Sequence, residues 1–343
     1  MSKKAPMDRR GFTVLTGTAL TTLALQSMND PEPLVSALQG KRVAPVVTDQ
    51  LEQQVASARL MDDTLGGEEI LACVSSHLGI AINLLKTGSY TEIMGRRLYA
   101  LAAEAARLAG WLSFSINRHA AAQQYFLAGL RAAHTAGDRG ISGHILTVMS
   151  YQAAMTGNPH DAVALIQASR NGLTDAGNPT VLALVAAREA QAQAKAGDAS
   201  GCQEALDRAF GTYECATCEQ HTPAWAYYVD EAFLNAQAGR ALLDLGHAQR
   251  AESYLRTAMK QTDHSFAQAR SVYLSQLAVA RLRQHDLEQA CALGLQAVEL
   301  TSQVNSDHCT DNIRDLRREL KPHQAQSCVQ EFTDQARELL GTA

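Results

Sequence analysis

Helix-length segments rich in alanine, leucine and glutamine alternate along the chain with short polar turns. The turns begin at Asn117, Gly157, Gly197, Gly246 and His285. Successive turns are 40, 40, 49 and 39 residues apart, which is the spacing of a structural repeat. The pattern therefore predicts a chain built from repeated helix-turn-helix units, each in contact with its neighbours.

Aligned on these turns, the repeats share three columns of small residues, one on each side of the turn and a third further along the second helix. The fifteen residues are Gly110, Ser150, Ala190, Gly239, Ala278, Ala122, Ala162, Cys202, Ala251, Ala290, Gly129, Ser169, Ala209, Ala258 and Ala297. Two antiparallel helices approach closely only where their facing side chains are small. We therefore predict an all-α solenoid of helical hairpins.

The offsets of these small columns resemble those of the tetratricopeptide repeat, although the units here are longer than its 34 residues. Separate motifs are also similar to the tetratricopeptide sensor region of actinobacterial XRE-type transcriptional regulators, over roughly residues 90–335. They are LAAEAARLAGWL at 101–112, the segment 122–138, ILTVMS at 145–150, VAAREA at 185–190, PAW at 223–225, DEA at 230–232, LG at 245–246 and the tail 316–332. In that family a DNA-binding helix-turn-helix domain precedes a stretch like Arg9 to Leu15. Only eight residues precede Arg9 here, so the resemblance implies a sensor module without a DNA-reading domain.

Composition and charge narrow the function classes. Apolar residues make up 46% of the 343 residues and charged residues 19%, which is typical of a folded chain. The formal net charge of -5 disfavours direct nucleic-acid binding, which needs a basic surface. The seven cysteines form no regular framework, which indicates reduced thiols in the cytoplasm. No apolar run approaches the roughly 20 residues of a membrane span, so we expect no membrane partner.

The N-terminal region differs from the repeats, and we predict a flexible arm over residues 1–48 and the solenoid over 49–343. The solenoid is expected to begin with a less regular helical region at about 49–88. Arg9-Arg10-Gly11-Phe12 before a short apolar stretch is compatible with a twin-arginine export signal. The alternative is a cytoplasmic arm, because five threonines interrupt the apolar stretch and no A-x-A cleavage site follows it.

A single segment has metal-like spacing. Cys215 and Cys218 are three residues apart, and His221 follows them, so three ligands of a tetrahedral zinc are present. A fourth ligand is not evident, and the segment falls where the repeat spacing widens to 49 residues. We therefore expect a pair of ordinary thiols in an inter-repeat loop, and the sequence implies no cofactor.

The resemblance to tetratricopeptide stacks implies that the first helix of each unit lines a concave groove. Counting from the turns, the inward positions hold a mixture of aromatic, polar and charged side chains. They are Glu104, Arg107, Trp111, His144, Thr147, Tyr151, Met155, Gln191, Phe233, Arg240, Asp244, Ser275 and Arg283. Such a surface suits a groove that holds a peptide or a small molecule. The alternative is a hydrated solenoid face without a ligand.

Two further groups of residues are candidates for binding surfaces. Trp225, Tyr227 and Tyr228 lie next to Asp230 and Glu231, and this group forms either a wall of a pocket or packing between two units. A second group is basic and lies on a late helix, where it either docks an acidic partner or forms a solvated face. Its members are Arg314, Arg317, Arg318 and Lys321.

The sequence contains no phosphate-binding loop, HExxH motif, nucleophile elbow or dinucleotide fingerprint. We therefore expect a stand-alone tetratricopeptide regulatory protein that binds a peptide, a small-molecule signal or a protein partner in its concave groove, and a homodimer is compatible with this. The alternative is an enzyme or accessory protein of specialised metabolism that uses the same groove for a small-molecule substrate.

Overall fold

The computed structural model describes residues 43, 45–64, 67–173, 178–216, 222–304 and 306–340. These residues form fourteen α-helices that pair in chain order into seven hairpins. The helices are α1 Pro45–Thr64, α2 Glu68–Thr87, α3 Glu92–Ser115, α4 His119–Ala136, α5 Arg139–Met155, α6 Pro159–Leu173, α7 Pro179–Lys195, α8 Ala199–Ala216, α9 Glu231–Asp244, α10 Ala248–Gln261, α11 Ala267–Arg283, α12 Leu287–Thr301, α13 Asp307–Leu320 and α14 Ser327–Leu340. Short 3-10 helices lie at Ala224–Ala226 and Lys321–His323. The predicted all-α solenoid of helical hairpins is confirmed.

The predicted turns are the points where the first helix of five hairpins ends. Asn117, Gly157, Gly197, Gly246 and His285 all have a positive φ, between 58° and 82°. The residue after each turn residue donates its backbone N–H to a carbonyl five positions earlier, as Asp198 does to Gln193 over 2.9 Å. This is the Schellman geometry, in which a left-handed residue closes a helix and turns the chain sharply. Polar turn residues at regular spacing therefore mark hairpin corners.

The three small columns lie where the paired helices cross. All fifteen residues are buried. A Cβ added at Gly110 would lie 2.3 Å from Phe126 Cε1, and one added at Gly239 would lie 2.5 Å from Leu255 Cγ. The helices of a hairpin thus approach to a distance that only small side chains permit.

The stack of hairpins curves until its two ends meet. The first helix of each hairpin packs against the first helix of the next, and α11 and α13 also contact α1 and α3. The Gln268 amide donates to the Asp62 carbonyl, and Asn117 Nδ2 donates to Asp311 Oδ2 over 2.9 Å. Small rotations between repeats add up to this curvature. The seven first helices, which we call the inner helices, therefore surround one axis.

Helix α2 corrects the expectation that no apolar run approaches the length of a membrane span. α2 has a mean hydropathy of 1.4 and is long and apolar enough to cross a membrane, although no such run was predicted. It begins with Glu68 and Glu69, and it buries Ile70, Val74 and Ala81 in the core. α2 packs against both its hairpin partner α1 and the following helix α3, and 33% of its apolar stretch is buried.

The first hairpin covers the region that was expected to be less regular. The region 49–88, expected to be less regular, contains most of α1 and all of α2, and α1 begins at Pro45. Residues 1–42 lie outside the described residues, and so does the twin-arginine segment. The flexible arm at 1–48 stays a prediction.

Candidate functional site

A cavity of about 320 Å³ lies on the axis of the ring. Every hairpin contributes to its wall through its inner helix. The contributors from α1 to α13 include Asp62, Trp111, Tyr151, Arg188, Phe233, Arg240, Tyr273 and His308. Small-molecule sites in proteins have volumes of roughly 300–1,000 Å³, so the cavity accommodates a small molecule or the end of a peptide.

Aromatic side chains form much of the wall. The ring centroids of Trp111 and Tyr151 are 6.1 Å apart, and those of Tyr228 and Phe233 are 5.4 Å apart in an edge-on arrangement. His308 completes the group, with its ring 6.1 Å from that of Tyr151. Aromatic faces offer a large rigid contact area for an apolar or planar ligand.

Arg188 is the charged group nearest the middle of the stack, on α7. Its Nη1 donates to Gln191 Oε1 over 2.9 Å and to Gln237 Oε1 over 3.1 Å. Its guanidinium carbon lies 4.4 Å from the ring centroid of Tyr151 and 5.5 Å from that of Phe233. Burial lowers the pKa of Arg188, because a desolvated cation is less stable. Among the described residues, no carboxylate pairs with it.

Arg240 is a second guanidinium at the same end of the cavity, on α9. Its Nη1 donates to Tyr151 Oη over 2.9 Å, and its Nη2 lies 2.8 Å from Met155 Sδ. The guanidinium also lies 5.3 Å from the Tyr151 ring centroid. A thioether is a weak acceptor, and within the described part of the chain Arg240 has no carboxylate partner either.

Two buried histidines add no charge to the wall at neutral pH. Burial, together with the positive charge of Arg240, lowers the pKa of His308 to about 3. His144 has a lowered pKa for the same reason, with its ring stacked on Trp225 at 4.1 Å. Tyr151 Oη accepts from Arg240 and also forms a hydrogen bond of 3.2 Å with His308 Nε2. This chain of bonds joins α9, α5 and α13.

The wall also contains carboxyl groups. Asp62, Asp230 and Asp263 belong to it. Asp230 caps α9 by accepting from the Phe233 backbone N–H over 2.7 Å, and burial raises its pKa. Tyr273 lies near both kinds of charge: burial and the negative charge of Asp230 raise its pKa, and the positive charge of Arg188 opposes that rise. The wall therefore contains both positive and negative groups.

Four of the thirteen predicted groove residues belong to the cavity wall: Trp111, Tyr151, Phe233 and Arg240. Met155 and Gln191 lie behind the wall, where they contact the guanidiniums of Arg240 and Arg188.

The remaining seven are not part of the wall. His144, Thr147 and Ser275 are buried, and the last two bond to carbonyls of their own helices. Arg107 is buried, with its positive charge near His144. Glu104 pairs with Arg59.

Asp244 and Arg283 lie in ion pairs away from the cavity. Asp244 pairs with Lys195 over 2.7 Å, and Arg283 pairs with Glu319 over 2.9 Å. Neither residue lines the cavity, because both lie near the end of their inner helices.

Sequence reasoning missed Arg188, Tyr273 and His308. Arg188 precedes the predicted Gln191 by three residues, and residues three apart share a helix face. A lone arginine in the alanine-rich helix α7 was therefore a usable signal. Tyr273 and His308 had no such signal, because they reach the cavity only through the closure of the ring.

The group Trp225, Tyr227, Tyr228, Asp230 and Glu231 was interpreted either as a pocket wall or as packing between two units, and its members differ in this respect. Tyr227, Tyr228 and Asp230 belong to the cavity wall. Trp225 instead packs on His144, and Glu231 is exposed.

The metal-like segment is described only at its start. Cys215 is exposed in the last turn of α8, not in an inter-repeat loop as predicted. Cys218 and His221 lie outside the described residues. Among the residues that are described, no group of three or more His, Cys, Asp or Glu side chains could hold a metal ion.

The late basic residues line a separate surface cleft of about 620 Å³ between α13 and α14. Arg314 pairs with Asp311 over 2.5 Å, and Arg318 pairs with Asp315 over 3.0 Å. Such exposed pairs contribute little to stability.

Comparison with known proteins gives a distant structural similarity. No protein-family model and no curated protein sequence matches the chain. A solved structure that matches is the apo form of the quorum sensor NprR from B. thuringiensis, with a TM-score of 0.45 and 12% identity over 86% of this chain and 87% of that one.

Proposed function

We propose that the protein is a regulatory binding module that holds a small-molecule signal or the end of a peptide in the central cavity. The observation that carries this proposal is that all seven inner helices contribute to one cavity wall. Enclosed sites with an aromatic lining and a few placed polar groups are typical of ligand pockets.

The ring geometry supports a regulatory role. A ligand in the cavity contacts α1 and α3 from one end of the solenoid and α11 and α13 from the other. It therefore binds the closed ring more tightly than an opened one and shifts the equilibrium between them. A change in ring closure moves the outer helices, where a partner protein would dock.

The same cavity supports catalysis less well. Strongly shifted groups, His308 and Tyr273, do lie in it. Their pKa values, however, move away from neutrality, since the histidine resists protonation and the tyrosine resists ionisation. General acids and bases work best with a pKa near the operating pH. Binding is therefore the better account of this wall.

The experiment that tests this proposal fills the cavity. Ala269 belongs to the wall and is only half-buried, so Ala269→Phe places a ring in the cavity with little overpacking. Ala267→Phe on the same helix is the matched control, because Ala267 is also half-buried but lies outside the wall. Ligands are found by native mass spectrometry of the purified protein and by thermal shift with libraries of short peptides and metabolites.

We expect Ala269→Phe to abolish ligand binding and Ala267→Phe to retain it. A ligand that binds both variants as well as it binds the wild type would show that the binding site lies elsewhere.

A further inference from the structure

We propose that the ligand carries a carboxylate, which Arg188 and Arg240 bind at one end of the cavity while its apolar body lies against the aromatic wall. This inference rests on the proposed function and names the chemistry of the ligand. Its two sources are a small carboxylic acid and the C-terminus of a peptide.

The first observation is the free edge of Arg188. Its Nη1 has two amide acceptors, Gln191 and Gln237. Among the described residues, nothing accepts from its Nε or Nη2, and neither atom is buried against the protein. These two N–H groups point in parallel, and that edge of a guanidinium binds both oxygens of a carboxylate. Gln191 and Gln237 hold the guanidinium in place through its other nitrogen.

The second observation is the absence of a counter-charge at this end of the wall. The positive charge of Arg240 disfavours the charged state of Arg188, and the neighbouring hydrogen-bonding groups are Tyr151, Met155 and the neutral His308. A desolvated cation such as Arg188 beside a second positive charge is costly unless an anion joins them. A ligand carboxylate would supply that charge.

The third observation favours a carboxylate over a phosphate. The wall already contains the carboxyl groups of Asp230 and Asp263. A phosphate monoester carries close to two negative charges at neutral pH, and its second charge would be repelled by these groups. A single negative charge balances the cavity better.

The test compares probes that differ in one group. Binding of 3-phenylpropionate, its amide and phenyl phosphate is measured by ligand-observed NMR at up to millimolar concentration, together with the dipeptide glycyl-phenylalanine and its C-terminal amide. The acid pair reports on small carboxylates and the dipeptide pair on peptide C-termini. We expect each carboxylate to bind roughly 10- to 100-fold more tightly than its amide, the factor for a charge-assisted bidentate contact.

Variants locate the effect. Arg188→Met should remove the preference for the carboxylate, and Arg188→Lys should retain part of it because the charge remains without the bidentate edge. Arg250→Met is the control, because Arg250 is exposed on the outer helix α10. Far-UV circular dichroism checks that each variant is folded, and the comparison of acid with amide in the wild type needs no variant.

Four outcomes would overturn the proposal that the ligand carries a carboxylate. They are equal binding of acids and amides, an unchanged preference for the acid in Arg188→Met, tighter binding of phenyl phosphate than of the carboxylates, and no binding of any carboxylate. If probes bind without regard to charge and Ala269→Phe abolishes that binding, the cavity is still the site and only the carboxylate is wrong. If Ala269→Phe leaves probe binding unchanged, the proposed function itself fails.

Discussion

Replacing Gly239 by alanine tests the close crossing of α9 and α10. The added Cβ would lie 2.5 Å from Leu255 Cγ and 3.2 Å from the Ala251 carbonyl oxygen. Leu255 is fully buried, and its Cγ is a branch point that cannot swing aside. Gly211 on α8 is the matched control, because a Cβ there meets nothing within 4 Å.

Both substitutions gain helix propensity, about 0.5–1 kcal/mol relative to glycine. That gain cancels when the two variants are compared, so the difference between them is the overpacking cost of about 1–3 kcal/mol. We therefore expect Gly211→Ala to be slightly more stable than the wild type and Gly239→Ala to lie about 1–3 kcal/mol below Gly211→Ala.

The assay is urea unfolding followed by far-UV circular dichroism, with both variants measured at the same protein concentration. Gly239→Leu should lower stability further than Gly239→Ala. If Gly239→Ala is as stable as Gly211→Ala, the helices do not cross as closely as described, and the register of the small columns is wrong.

The remaining predictions concern charge, thiols and partners. Arg188→Met should leave the free energy of unfolding unchanged or raise it by up to about 2 kcal/mol. The reason is that it removes a desolvated cation without a carboxylate partner. A large loss of stability would show that Arg188 has a structural role. The folded pKa of His308, about 3, lies below its unfolded value of 6.5, so the unfolded state binds the extra proton between these values and stability falls as the pH drops from 6.5 toward 3. In His308→Gln the free energy of unfolding should change less steeply with pH, by the equivalent of about one bound proton. Urea unfolding at several pH values measures this. An unchanged slope would show that His308 is not buried as described. Replacing Cys215 and Cys218 by serine should leave the melting temperature nearly unchanged, whereas stoichiometric zinc and unfolding by a chelator would reveal a structural metal. The protein should show no sequence-selective DNA binding in a mobility-shift assay at physiological salt, since its net charge is -5; a tight selective complex would refute this.

The hairpin architecture could be predicted from local sequence because its determinants are local. A left-handed turn residue such as Gly197 favours glycine at a fixed place, and a crossing point such as Gly110 requires a small side chain. Both requirements recur in five of the seven hairpins, so the alignment of their turns gave the register of the helices. The same register placed Trp111, Tyr151, Phe233 and Arg240, which belong to the cavity wall.

The closure of the ring could not be predicted in this way. Curvature depends on small rotations between neighbouring units. These rotations add up over seven hairpins, and no single hairpin carries a sequence motif that reveals its rotation. The contributions of Asp62 and His308 come from opposite ends of the chain and depend entirely on that sum. Asp244 and Arg283 do not line the cavity for a related reason, since both lie near the end of their inner helices.

Hydrogen–deuterium exchange with the tightest-binding carboxylate probe tests the central cavity most directly. We predict that binding slows exchange in all four of the helices α3, α7, α9 and α13, whose side chains Trp111, Arg188, Arg240 and His308 surround the cavity. Exchange in the outer helices α6 and α12 should not change. Slower exchange confined to the outer helices, or to one end of the solenoid, would contradict a ligand site at the axis of a closed ring.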